Sequence, residues 1–131
     1  MLEVINTTKI KIDIKSLQKA AQAAFAVLPF DKEVSLVFVG DARMKELNKK
    51  YRGKNSTTDV LSFEGLNEIF ICLPVAKRQA RLLKTGLKVE LTRLLTHGIV
   101  HLKGYDHEKS AREAERMFRV EEKILNKLET E

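Results

Sequence analysis

The chain has 131 residues, 44% hydrophobic and 32% charged, with 24 Lys and Arg against 18 Asp and Glu for a formal charge of +6. That length suits one domain, 1–131, able to bury roughly two thirds of the surface its unfolded form exposes, and no apolar run reaches the ~18 residues of a membrane span. The opening MLEVINTTKIKID carries an acid at Glu3 and no apolar stretch behind it, so it does not read as a signal peptide, and the lone Cys72 excludes an intramolecular disulfide. These features imply a cytoplasmic protein with no membrane role, whose one thiol is buried in a strand.

In chain order, Leu2 to Asn6 reads as a strand that continues irregularly to Asp13. Ser16 is then placed to cap a helix whose apolar positions Leu17, Ala20, Ala21, Ala24, Phe25 and Leu28 follow the 3.6-residue repeat up to Pro29. Val34 to Val39, ended by Gly40, suits a strand, and Asp41 suits the cap of a second helix in which Met44, Leu47 and Tyr51 share a face. RGKNSTT, 52–58, has the composition of a surface loop. DVLSFE and EIFICL predict two strands of a hairpin joined by the tight turn Gly65-Leu66-Asn67. Pro74 opens a basic helix to about Lys84, and Thr85-Gly86 breaks it. The next helix starts near Lys88, carries His97 and His101, and stops near Gly104, where a missing side chain permits a left-handed exit. Ser110 and Glu113 form a capping box for a last helix with Ala114, Met117, Phe118, Ile124, Leu125 and Leu128 as its buried stripe. The sum is an α+β single domain, a mixed sheet of about four strands covered by about five helices.

The basic excess is concentrated in two places. Lys45, Lys49, Lys50, Arg52 and Lys54 face Glu46 alone, and Lys77, Arg78, Arg81, Lys84 and Lys88 occur with no acid between them. Such clustering favours a polyanionic partner, with Lys49, Lys50, Lys54, Arg78, Arg81 and Lys84 as candidates for contacts to a phosphate backbone.

All three histidines lie in HGIVHLKGYDH, 97–107. His97 and His101 project from one helix face, near enough for both imidazoles to reach one ion at ~2.0–2.1 Å. Gly104 lets the chain turn back so that His107 supplies a third nitrogen, the H-x-x-x-H-x-x-G-x-x-H arrangement of a metzincin metal helix. Three ligands leave a position open for water or substrate, and imidazoles suit Zn2+, although nickel or copper also bind such a set. Gly98 stands where H-E-x-x-H peptidases carry their general base, so ordinary peptidase chemistry is not expected. Asp106 is a poor replacement, because an Asp in a tight turn usually holds its own backbone. A phosphodiester needs a Lewis acid and charge stabilisation at least as much as it needs a protein base.

Two stretches, NKKYRGKNSTTDVLSFE at 48–64 and LLTHGIVHLKGYDH at 94–107, together closely resemble the YbeY endoribonucleases, bacterial proteins of ribosomal RNA maturation and ribosome quality control; the similarity runs on through EIFICLPVAKRQA and the terminal helix. The resemblance implies one zinc per chain held by His97, His101 and His107, and RNA cleavage by way of Arg52 of the Tyr-Arg pair. It also implies single-stranded ribosomal RNA as substrate, a ribosome or ribosome-associated proteins as partners, and no role for DNA. Where relatives usually have Gly-Asp-Ile at the start of the fourth strand this chain has Asn67-Glu68-Ile69, and Glu68 stays outside the catalytic set. Tyr51 and Tyr105 are alternatively base-stacking or packing residues, and Thr58, Asp59 and Ser62 alternatively line a groove or support the strand. Two other readings stay open: a non-catalytic, zinc-stabilised RNA- or ribosome-binding module, and a metal-dependent hydrolase of another ester or amide.

Overall fold

The computed structural model describes residues 1–130. Its strands β1 (Leu2–Asn6), β2 (Val34–Val39), β3 (Val60–Phe63) and β4 (Glu68–Cys72) form one mixed sheet in the order β1-β2-β4-β3. β1, β2 and β4 are parallel, with Leu36 between Val4 and Ile69, and β3 runs antiparallel to β4 at the edge, Ser62 opposite Ile69. The helices are α1 (Ile14–Val27), α2 (Asp41–Arg52), α3 (Leu73–Leu83), α4 (Leu87–Leu102) and α5 (Ala111–Thr130). None of the described helices is long and apolar enough to cross a membrane.

Because successive strand residues point to opposite faces, the sheet has two apolar sides. Leu36, Phe38, Ile69 and Ile71 are fully buried on one, against Leu17 and Ala24 of α1, Leu95 and Ile99 of α4, and Met117 and Ile124 of α5. Val37, Val39 and Phe70 turn to the other, where Met44 and Leu47 of α2 cover them. Each large side chain removed from water contributes roughly 1.5–3 kcal/mol. The helix that carries two of the histidines is the centre of this packing, in contact with α1, α3, α5, β3 and β4. Cys72 is buried, as expected, and burial pushes its thiol up to about 11, which leaves it unreactive.

Several local expectations change. The cap of α1 is Asp13, whose carboxylate accepts from the Ser16 N–H at 3.2 Å while the Ser16 hydroxyl donates back to the Asp13 carbonyl. Gly40 is the cap of α2, and Asp41, its first helical residue, is paired with Arg78 at 3.2 Å. The β3–β4 connection is longer than a three-residue turn: residues Glu64–Leu66 make a 3₁₀ turn and Asn67 follows at φ 51°, a left-handed conformation that Asn tolerates. At α5 the Ser110 hydroxyl accepts from the Glu113 N–H as the capping box requires. Phe118, however, is 60% exposed, because Met117 and Ile124 fill the line that meets the core and Phe118 sits about 100° round the helix from Met117. Tyr51 likewise leaves the buried face of Met44 and Leu47 and is 55% exposed.

Candidate functional site

Helix α4 presents His97 and His101 from successive turns. It ends at Leu102 with Lys103 as its cap; the Gly104 N–H donates to the His101 carbonyl at 2.9 Å, and Gly104 itself takes φ +91°, where any Cβ is strained. The chain reverses there, and His107 comes back over the helix end. Ring centroids are 4.8 Å apart for His97–His101 and 5.5 Å for each of the other two pairs. One ligand nitrogen from each ring lies within 4.8 Å of the others, close enough for side-chain rotation to bring all three onto one ion. Burial, and then the neighbouring His97 and His107, hold the His101 imidazolium below its ordinary range, so this ring favours the neutral form that a metal needs. The donor set therefore fits a divalent metal of the zinc type.

The ring of His97 is fixed from behind. Its Nδ1 lies 2.6 Å from Oε1 of Glu121 on α5, and since an ionised carboxylate only accepts, Nδ1 carries the proton and Nε2 is the free nitrogen. Local motifs gave no notice of Glu121. A usable signal was present in the helix pattern, because an acid interrupts the apolar line Met117, Ile124, Leu128 at an inward position.

The reason for glycine at 98 is packing. A Cβ on Gly98 would lie 2.9 Å from Ile69 Cγ2, 3.1 Å from Ile69 Cδ1 and 3.2 Å from Ser62 Oγ, and the Ser62 hydroxyl donates to the Gly98 carbonyl at 3.2 Å. The helix lies directly on β3 and β4 at this point. A glutamate has no room there, and the position faces the sheet.

The imidazoles open onto a cavity of about 550 Å³ between α4, β3 and the end of α2. Arg52 and Lys54 line it, as do Thr58, Asp59 and Ser62. Arg52 is the last residue of α2 and not a loop residue; Gly53 at φ 68° then turns the chain away. Lys49 and Lys50 are exposed on the same last turn without lining the cavity, and Arg78, Arg81 and Lys84 are exposed on or just beyond α3, outside the lining. Arg78 is spent on Asp41, whose carboxyl its guanidinium holds below the usual range. The Asp106 carboxylate accepts from the Glu108 N–H, as an Asp in a turn should. Asp59 accepts from the Val60 N–H and from Gln79. Arg93 is a further cation on the cavity wall, held by the buried Glu90 through bonds of 3.0 and 2.7 Å. Glu68 is not among the lining residues.

A family model described as "Endoribonuclease YbeY" matches residues 3–129. The chain is 49% identical over 105 residues to an Endoribonuclease YbeY of Thermodesulfovibrio yellowstonii, an alignment that spans 72% of this chain and 66% of the relative. It is 38% identical over 135 residues to an Endoribonuclease YbeY of Aquifex aeolicus, across 95% of this chain and 90% of that one. The solution structure of TM1509 from Thermotoga maritima superposes with a TM-score of 0.70 and 29% identity, covering 98% of this chain and 89% of that one. With the family model matching nearly the whole chain and the relatives similar across most of it, the chain belongs to the YbeY endoribonuclease family.

Proposed function

We propose that this chain is a metal-dependent endoribonuclease that cuts single-stranded segments of ribosomal RNA during ribosome maturation and quality control in the cytoplasm. The observation that carries the reading is the convergence of Arg52 with His97, His101 and His107 on one cavity of about 550 Å³. Names of the relatives supply the reaction class, hydrolysis of RNA phosphodiesters. One zinc ion held by the three imidazoles would supply Lewis acidity toward a phosphate oxygen. His97 offers Nε2 because Glu121 holds Nδ1, and burial favours the neutral form of the His101 ring. Arg52 grips two phosphate oxygens through its planar fork and stabilises the charge that grows in the transition state. Lys54 in the cavity, with Lys49 and Lys50 beside it, holds the backbone without reading sequence, and Arg78, Arg81 and Lys84, which lie outside the lining with Arg78 paired to Asp41, add only a weaker peripheral contact. The ribosome is the partner that delivers such RNA.

A binding module is the second reading, supported by the engagement of Asp59 and Asp106 with backbone N–H groups, which occupies two carboxylates near the histidines. Single-turnover cleavage of a labelled, unstructured RNA by metal-loaded parent and Arg52→Lys protein separates the two. The parent should cleave, and the variant should hold the RNA and its metal nearly as well yet turn over on the order of a hundredfold more slowly. Equal rates would remove Arg52 from the mechanism. Metal-loaded parent that holds RNA without cutting it would favour the binding module.

A further inference from the structure

We propose that Tyr51 and Phe63 form a stacking site for one unpaired nucleobase, beside the phosphate gripped at Arg52; the site rests on the RNA-cleaving reading of the cavity. Tyr51 and Arg52 are consecutive at the end of α2, and both line the cavity together with Phe63 and Lys54. A water takes up ~30 Å³, so about 550 Å³ is far more than an ion and its water need, and it falls in the range of clefts that hold a nucleotide-sized ligand.

The two tyrosines are in different situations. Tyr105 is half-buried and packed against the main core, and it is not among the residues that line the cavity. Tyr51 is not needed by the core beneath α2, which Met44 and Leu47 fill. It meets Phe63 edge-on, centroids 5.1 Å apart at 64°, and Phe63 meets Phe70 in the same way at 5.7 Å. That row of rings braces Tyr51 from the sheet side while leaving it 55% exposed. Lys50 Nζ lies 5.2 Å from the Tyr51 centroid, and Arg52 and Lys54 flank the wall. A half-exposed ring among cations suits a ligand that alternates flat aromatic bases with phosphates, and it suits single strands, whose bases are free to leave the stack. An apolar protein side chain would gain the ring but desolvate the cations.

The test uses metal-loaded protein on the Arg52→Lys background, which slows cleavage during a titration, with RNA integrity checked on gels. Short unpaired RNAs carry 2-aminopurine at successive positions, and matched RNAs carry an abasic residue at each of those positions; the chain has no tryptophan to interfere with the fluorescence. One position should be quenched on binding. The quench should persist in Tyr51→Phe and vanish in Tyr51→Ala, with affinity for intact RNA lowered about five- to hundredfold. On RNA abasic at that position, Tyr51→Ala and its parent should bind alike. Equal losses on intact and abasic RNA, or no loss on either, would overturn the base site alone. A metal-loaded parent that holds none of the RNAs would overturn the RNA reading and the base site with it.

Discussion

Glu121 interrupts an otherwise apolar line on α5, and the cost of half-burying a carboxylate is offset only by what it holds. Its partner is Nδ1 of His97, at 2.6 Å, with side chains 20% and 25% exposed. A carboxylate in that position fixes both the tautomer and the plane of the ring and makes Nε2 a better donor; removing such a partner commonly costs 10- to 100-fold in metal affinity. Glu121→Gln keeps the shape and an accepting oxygen but loses the charge. Zinc affinity, measured by competition with a chelator, should fall about tenfold or more, while the metal-free protein should melt near the parent's temperature. A variant that melts much lower without metal and binds zinc as well as the parent would make Glu121 a packing residue. Gly98 is the complementary case, a residue selected for what it lacks, since Ile69 and Ser62 leave no room for a side chain between α4 and the sheet.

Whole elements were legible where the information is local. The metal turn was readable because its ligands and its glycine fall within eleven consecutive residues, and the strands because apolar runs end at turn residues. Features that depend on distant chain were not. Nothing near Gly98 foretells Ile69, nothing near His97 foretells Glu121, and the pairing of Asp41 with Arg78 spans 37 positions. The same limit affected the two basic stretches, which look alike as sequence and differ in place. The end of α2 borders the cavity, with Lys54 in its wall, whereas the cations of α3 lie outside the lining and Arg78 is already paired. Reversing Lys49, Lys50 and Lys54 to Glu should therefore flatten the dependence of RNA affinity on salt by up to about two units of slope, at about 0.7 per phosphate contact on a single strand. The same reversal of Arg78, Arg81 and Lys84 should flatten it less, and zinc content should hold in both. Equal flattening would carry the RNA across α3 as well.

At the scale of the molecule, α4 is the helix on which the other layers meet, and the histidine cluster joins its end to the turn that leads into α5. A metal held by His97, His101 and His107 closes that turn onto the helix, and the unfolded chain has no such site, so binding free energy becomes folding free energy. At a free metal concentration a hundred times Kd the gain is about 2.7 kcal/mol, which for a domain of this size corresponds to a rise in Tm of roughly 10 °C. His107 is the ligand with which to test this, because its side chain is 47% exposed and its one ion-pair contact among the described residues is a 3.9 Å approach to Glu108. His107→Ala should leave the metal-free Tm close to that of the parent and abolish most of the increment that zinc adds, whereas a buried ligand would confound the two effects. Thermal unfolding of both proteins, stripped with chelator and then titrated with zinc, measures the increment directly. Equal increments in parent and variant would remove His107 from the metal site, and a large drop in the stripped variant would mean that the turn depends on the imidazole itself and not on what the imidazole binds.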